Sequence, residues 1–359
     1  MQGGSVASWQ PAASPNSLAA VSSPTARRLG RRAATLLGFA AALFAVFLAS
    51  LAVGAKAVPL GDVIDAFLHY DTTNTNHLVV RELRLPRTIV GCWVGLALGV
   101  SGAMMQAVTR NPLADPGILG VNAGASFAVV LAIWRLQTGD VSTLVWFAFA
   151  GAAVASVVVY LLGSIGRGGA TPVRLALAGA ALSALLFALT RAITLLDEAT
   201  LDQFRFWAVG SLAGRDLEIA NTVSRFILAG LALAGLVLRP LNALALGDDA
   251  AAGLGVRVGL TRLASGAAIV LLCGAAVAAV GPIGFIGLVV PHAVRAVMGP
   301  DQRWVFPGCA LVGPALILGC DTIGRVIARP GEVQVGIMTA AIGGPAFVYL
   351  VRRMKVVRL

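Results

Sequence analysis

The first residues that could do chemistry are arginines gathered just before a long uncharged stretch. Arg84 and Arg87 stand in the segment Arg84-Leu-Pro-Arg87, and Arg81 precedes them. A guanidinium binds a carboxylate through two parallel hydrogen bonds, so such a cluster can recognise an acidic partner. Arginines at the end of a membrane helix can instead extend along its apolar surface and keep their charge in water. The sequence leaves both interpretations open.

A second candidate is a short acidic segment rich in small residues, Leu246-Gly-Asp-Asp-Ala-Ala-Ala-Gly-Leu-Gly255. Asp248 and Asp249 suit the N-terminus of a helix, where a carboxylate accepts free backbone N–H groups and opposes the helix dipole. Gly253 and Gly255 suit its C-terminus. The pattern predicts a short capped helix. It is either an ordinary surface turn or a contact for a partner.

Catalytic and metal-binding patterns are lacking in the sequence. His69, His77 and His292 are scattered, and the four cysteines form no Cys-x-x-Cys pair, so no metal site or disulfide framework is expected. A phosphate-binding loop ends in Gly-Lys-Ser/Thr. The lysines, Lys56 and Lys355, do not follow glycines. We therefore expect no catalytic residues and no bound cofactor. If ATP drives this protein, ATP and Mg²⁺ must be bound by another chain.

The composition gives the setting of these residues. The chain has 359 residues, of which 58% are hydrophobic and 12% charged. Soluble domains carry about 25% charged residues. The abundant glycine, 42 residues, suits tightly packed membrane helices. The fold class predicted is an all-α polytopic membrane protein.

Uncharged or nearly uncharged windows predict about ten transmembrane helices, since a span needs about 20 apolar residues. Pro112 and Pro116 place a turn between two of them, and Pro240 is expected to end another. A window of 32 uncharged residues is expected to break at Gly281-Pro-Ile-Gly284. The windows are 33–55, 88–109, 117–134, 141–165, 173–195, 219–238, 262–280, 283–298, 304–324 and 333–351.

Four glycines predict close helix packing in the second window. Gly91, Gly95, Gly99 and Gly102 recur at spacings of four, four and three, which places them along one helix face. Small residues on one face let the backbone of a neighbouring helix approach closely. We therefore expect this helix to touch other helices directly through its backbone.

The first window and the charge distribution bear on topology. The uncharged run 33–55 is longer than the apolar core of a signal peptide, so we expect a retained helix, with cleavage after Ala57 as the alternative.

With both termini on one side, 16 of the 27 basic residues and only 4 of the 16 acids lie on that side. An excess of Lys and Arg marks the cytoplasmic side. Topology thus explains the net charge of +11 without a nucleic-acid partner.

Several blocks resemble the FecCD family. They are Arg84-Leu-Pro-Arg87, Ser101-Gly-Ala-Met-Met-Gln106, Asn111-Pro-Leu-Ala-Asp-Pro-Gly-Ile-Leu-Gly120 and the segment Leu246–Gly255. The resemblance implies a permease subunit of a type II ABC importer for a ferric siderophore, with vitamin B12 or haem as alternative cargo. It implies as partners a second permease subunit, identical or different, two ATP-binding subunits and an extracytoplasmic substrate-binding protein.

The resemblance also implies roles for particular residues. Arg84, Arg87 and Arg325 would dock the binding protein. Arg325 also follows Asp321 by four residues, which predicts an ion pair on one helix face. One larger set of residues is expected to form the ATPase-coupling segment: Leu246, Gly247, Asp248, Asp249, Ala252, Gly253, Leu254 and Gly255. A second set is expected to form a structural turn: Asn111, Pro112, Asp115, Pro116 and Gly117.

We therefore expect three regions in a bacterial inner-membrane protein whose termini are both cytoplasmic. Residues 1–32 form a disordered basic tail, 33–353 the ten-helix permease domain with a coupling loop at about 240–259, and 354–359 a cytoplasmic tail. The alternative from another class is an ion-coupled secondary transporter. That class carries ionisable groups inside its spans, whereas here only Arg191 and Arg225 approach a span interior.

Overall fold

The computed structural model describes residues 24–165 and 171–353, and every regular element within these ranges is helical. A π-helical turn, Val79–Arg84, leads into α4, and a 3₁₀ turn, Pro116–Leu119, leads into α5. The α-helices are α1 (Pro24–Ala52), α2 (Leu60–Leu68), α3 (Thr75–Leu78), α4 (Leu85–Thr109), α5 (Val121–Leu136), α6 (Val141–Ser164), α7 (Pro172–Leu196), α8 (Glu198–Ala208), α9 (Leu217–Leu244), α10 (Asp248–Gly253), α11 (Val258–Val280), α12 (Ile286–Met298), α13 (Gln302–Ile327) and α14 (Val335–Arg353).

Each of the ten predicted windows contains one helix, which confirms an all-helical membrane protein. Seven helices are long and apolar enough to cross a membrane, counted within the described residues. Three shorter apolar helices, α5, α12 and α14, occupy the remaining windows. The long window breaks where expected, because Gly281 at the end of α11 has a φ of 80°, which favours glycine.

Two predicted boundaries were wrong. Pro240 does not end its helix, because α9 continues to Leu244. A proline removes one backbone hydrogen bond, but the fully buried Leu241 and Leu244 hold the last turn against the core. The N-terminal boundary also moves, since α1 begins at Pro24 and takes in basic residues assigned to the tail. Residues 1–23 and the predicted tail 354–359 lie outside the described residues.

Helix α4 lies at the centre of the bundle, packed against α9, α11, α12 and α13. Its glycine face meets neighbouring backbone directly, as predicted. A Cβ added at Gly95 would lie 2.5 Å from the backbone N of Pro314, and one at Gly102 would lie 2.2 Å from the carbonyl O of Gly287. Neither distance leaves room for a methyl group. The centre of the fold therefore depends on glycines that bring backbones together.

Helix α1 is a packed part of the bundle. It contacts α13 along its length, and near its end the buried Ser50 shares a hydrogen bond of 2.8 Å with Thr88 of α4. Just beyond α1, a second small core holds Leu51, Val58, Val63, Ala66 and Val80. These contacts favour a retained helix over a cleaved signal peptide.

We expect Gly102→Ala to destabilise the protein by at least about 2 kcal/mol, since an extra methyl in a packed contact forces backbone shifts. The measurement is the thermal unfolding midpoint of purified protein in detergent. The control is Gly235→Ala in α9, where an added Cβ has nothing within 4 Å. The control should be neutral or slightly stabilising, because alanine favours helix. Equal midpoints for the two variants would contradict the packing argument.

Candidate functional site

The C-terminal end of α1 is held by Arg84, which is one of the arginines expected to dock a partner. Arg84 donates from Nη1 to the carbonyls of Leu51 at 2.7 Å and Ala52 at 2.8 Å, and from Nη2 to the carbonyl of Lys56. The last carbonyls of a helix lack partners within it, and a cation there also opposes the helix dipole. Arg84 therefore caps the C-terminus of α1.

Arg325 and Arg329 complete this cap. Arg325 donates from Nη1 to the carbonyl of Ser50 at 3.0 Å and from Nη2 to the Ser50 hydroxyl at 2.8 Å. Arg329 donates to the carbonyl of Gly54 at 2.6 Å. Both Arg84 and Arg325 are buried and bind α1, and their role in docking a binding protein stays a prediction.

Asp321 joins α4 to α13 at the same end of the bundle. Arg87 of α4 binds it in a bidentate pair, with Nη2–Oδ1 at 2.7 Å and Nε–Oδ2 at 3.0 Å. Arg325 lies 3.1 Å from the same carboxylate, which confirms the predicted i,i+4 pair. Arg87 also contacts Glu332 at 2.8 Å. Asp321 is 0% exposed and Glu332 33%, so Arg87 has one buried and one accessible carboxylate partner.

The segment Leu246–Gly255 folds into the short helix predicted from its residues. Helix α10 starts with Asp248 and Asp249 in its first turn, after Gly247 with a φ of 110°. Its turn back toward α11 passes through Gly255 with a φ of 83°. Ala251 is buried against the bundle, whereas Leu246 and Leu254 on either side of the helix are exposed. The segment therefore projects two apolar side chains from a firmly seated helix.

Two arginines clamp α10 to the bundle. Asp248 lies 3.1 Å from Arg110, the residue that ends α4, and 2.8 Å from Arg262 in the first turns of α11. Arg110 takes the left-handed conformation with a φ of 52°. The clamp connects α10 with two of the most buried long helices. No local pattern predicts the contact with Arg110, since Arg110 lies 138 residues from Asp248.

The predicted structural turn is present between α4 and α5. Asn111 Oδ1 accepts a hydrogen bond from the backbone N–H of Leu113 at 2.9 Å. Asp115 Oδ1 accepts one from the N–H of Gly117 at 2.8 Å and caps the 3₁₀ turn that starts at Pro116. Side chains that bond two residues ahead are typical of tight turns. Together with Pro112, these residues set the direction in which the chain re-enters the bundle.

The chain matches known transport proteins along most of its length. Residues 42–353 match the FecCD transport family. The chain is 49% identical to the ferric enterobactin transport system permease protein FepD of Escherichia coli (strain K12), over 85% of this chain and 90% of that protein. It is 40% identical to the hemin transport system permease protein HmuU of Yersinia pestis, over 76% and 83% of the two chains.

The fold also matches a solved structure, described as an inward-facing conformation of a metal-chelate type ABC transporter. The two superimpose with a TM-score of 0.77 at 28% identity, over 90% of this chain and 100% of that one. The agreement covers the whole helical bundle and is not limited to one motif.

The two carboxylates on Arg87 provide a matched test of the outer ion cluster. Asp321→Asn should destabilise the protein by about 3–5 kcal/mol, because it leaves buried guanidinium groups without their counter-charge. Glu332→Gln should have an effect below about 1 kcal/mol, because that pair is partly exposed to solvent. Thermal unfolding in one detergent compares the two. Similar losses of stability in the two variants would show that the burial of Asp321 does not determine how much its ion pair stabilises the protein.

Proposed function

Because the chain belongs to the FecCD transport family, we propose that it is the permease subunit of an ABC importer that moves a ferric siderophore inward. The similarity to the ferric enterobactin permease along nearly the whole bundle is the observation that supports a ferric siderophore as the cargo. Haem and vitamin B12 are the alternative cargoes. As a permease of this family, the chain is not an enzyme, and ATP and Mg²⁺ are bound by the ATPase.

The complete importer in this proposal has four further subunits. A second permease, either a copy of this chain or a different one, pairs with it in the bacterial inner membrane. Two ATP-binding subunits sit on the cytoplasmic face, and a substrate-binding protein delivers cargo on the other face. Both termini are placed in the cytoplasm, which agrees with the excess of Lys and Arg on their side.

Helix α10 is the proposed contact with the ATPase. The exposed Leu246 and Leu254 offer apolar side chains to a groove, while the buried Ala251 keeps the helix seated. When the ATPase closes, force on α10 passes through Asp248 to Arg110 and Arg262. Those arginines stand at the cytoplasmic ends of α4 and α11. The clamp thus converts a movement of α10 into a movement of two bundle helices.

Arg87 is the proposed docking residue on the opposite face. It contacts the partly exposed Glu332, and a carboxylate of the binding protein can replace that partner without uncovering Asp321. Arg84 and Arg325 support docking indirectly in this proposal, by fixing α1 beside α4 and α13. Docking through an arginine is weakened by salt, since the charges are screened.

Uptake into proteoliposomes tests the function and the cargo. The permease is reconstituted with its ATPase and binding protein, and each cargo is supplied outside with a radioactive metal. Radioactive iron labels ferric catecholate, ferric hydroxamate and haem, and radioactive cobalt labels cobalamin. We expect uptake of a ferric siderophore that requires both ATP and the ATPase. Accumulation in vesicles that hold the permease without the ATPase would contradict the mechanism. Uptake of haem or cobalamin without uptake of any ferric siderophore would overturn the cargo.

Asp248 and Asp249 offer a matched test of the clamp, because either amide substitution removes one charge from the same helix. Asp248→Asn should lower iron uptake per ATP hydrolysed several-fold, since it loses both arginine contacts. Asp249→Asn should retain nearly full coupling, because Asp249 forms no ion pair with a described residue. Co-purification of the ATPase should survive in both variants. Equal ratios of iron uptake to ATP hydrolysis in the two variants would contradict a role of the clamp in the mechanism.

A further inference from the structure

Helix α2 lies outside the bundle spans, in the segment that joins the outer ends of α1 and α4. It has nine residues, Leu60–Leu68. At 3.6 residues per turn, its side chains divide into three groups that face three directions. Each group has a different chemistry, which indicates three different environments.

One group faces the protein. Val63 and Ala66 are buried in the small second core, together with Leu51 and Val80. The chain that leads into α2 is fixed as well, because Arg84 bonds the carbonyl of Lys56. The orientation of the helix about its own axis is therefore set by packing.

A second group is apolar and has no cover. Leu60 is 62% exposed, Ile64 61%, Phe67 46% and Leu68 70%. These four positions fall on one side of the helix, next to the buried pair. Large apolar side chains that share one exposed face mark a contact with lipid or with another protein.

The third group is polar. Asp62 accepts a hydrogen bond from Asn76 at 2.6 Å, and Asp65 pairs with His69 at 3.0 Å. Asp65 also lies 3.3 Å from the buried His77 of α3, and its side chain is 52% exposed. This side of α2 is therefore polar and partly open to water, and it packs partly on α3.

The occupant of the apolar group follows from its position. The exposed stripe of α1, which includes Leu37, Phe44 and Leu48, faces lipid along a membrane span, and Val53 extends it toward α2. Tyr70, just after α2, lies under the guanidinium of Arg81 at 4.4 Å. A tyrosine beside a cation is typical of the membrane–water boundary. The exposed apolar face of α2 thus follows in the chain directly after an exposed apolar stripe on a helix long enough to cross a membrane.

Charge argues against the binding protein as the occupant. In the proposed function that protein presents carboxylates to the permease, and α2 carries Asp62 and Asp65 beside its apolar face. Like charges at that edge repel an acidic partner. Lipid imposes no such conflict, because the two carboxylates point to the aqueous side.

We propose that α2 is an interfacial helix whose Leu60, Ile64, Phe67 and Leu68 are inserted into the outer leaflet of the bilayer. An amphipathic helix lies in the boundary plane when one face is apolar and the other polar. Inserted in this way, α2 holds the arginine cap of α1 at a constant depth. The proposal rests on the proposed topology only for the identity of the leaflet.

Spin labels on single introduced cysteines test the insertion in lipid nanodiscs that contain the permease alone. Ile64→Cys and Leu68→Cys probe the apolar group, and the matched control His69→Cys probes the polar group. The unsubstituted chain supplies the labelling background, since three of its four cysteines are buried and the fourth is half-buried.

Collision with oxygen, which concentrates in lipid, is compared with collision with a water-soluble nickel chelate. We expect oxygen to dominate at residues 64 and 68 and the nickel chelate to dominate at residue 69. Nickel dominance at all three positions would overturn the proposal. So would protection at residues 64 and 68 that appears only after the binding protein or a second permease is added. Failure of the proposed transport function would leave these collision ratios unchanged, so the two tests are independent.

Discussion

The structure depends on one buried carboxylate, Asp321, which is shared by two arginines from different directions. Arg87 brings α4 to it, and Arg325 lies on the same helix and reaches on to α1. A buried charge is tolerated only when opposite charges and hydrogen bonds surround it. Because each arginine has further partners, the carboxylate fixes three helices at once. The orientation of α1, and through it of α2, follows from this arrangement.

The C-terminal end of α4 repeats the arrangement with different exposure. There Asp248 is shared by Arg110 and Arg262, just as Asp321 is shared at the N-terminal end. The side chain of Asp248 is 40% exposed, whereas that of Asp321 is fully buried. Solvent-exposed ion pairs are weak and exchange easily, and buried ones are costly to break. One end of α4 is therefore fixed rigidly, and the other is joined to α10 by contacts that can rearrange.

This difference suits a permease driven from the cytoplasm. Along its middle, α4 is pressed against α12 and α13 through Gly95 and Gly102, so it cannot bend away without losing backbone contacts. In the proposed mechanism, α4 tilts about the end that holds Arg87, and force applied at α10 reaches it through Arg110. An importer needs its cytoplasmic opening to respond to the ATPase in this way.

The sequence by itself determined the features that arise from neighbouring residues. Uncharged runs predicted the membrane-spanning helices. Pro112, Pro116 and their neighbours predicted a turn, and the residues of α10 predicted a short capped helix. The missing Gly-Lys-Ser/Thr pattern assigned ATP binding to another chain. Each of these features depends on local periodicity, capping or composition, which can be read directly from neighbouring residues in the sequence.

The tertiary structure decided which partner each charged group takes. Arg87 meets Asp321 across 234 residues, and Arg325 meets Ser50 across 275, so no local pattern could pair them. For the same reason, no local pattern predicted that Arg84 and Arg325 bond the last carbonyls of α1. Pro240 stays within α9 because buried leucines beyond it pack against distant helices. An arginine motif shows only that a guanidinium group is present. The packing of the helix bundle determines whether that group faces another protein or a backbone carbonyl of the same chain.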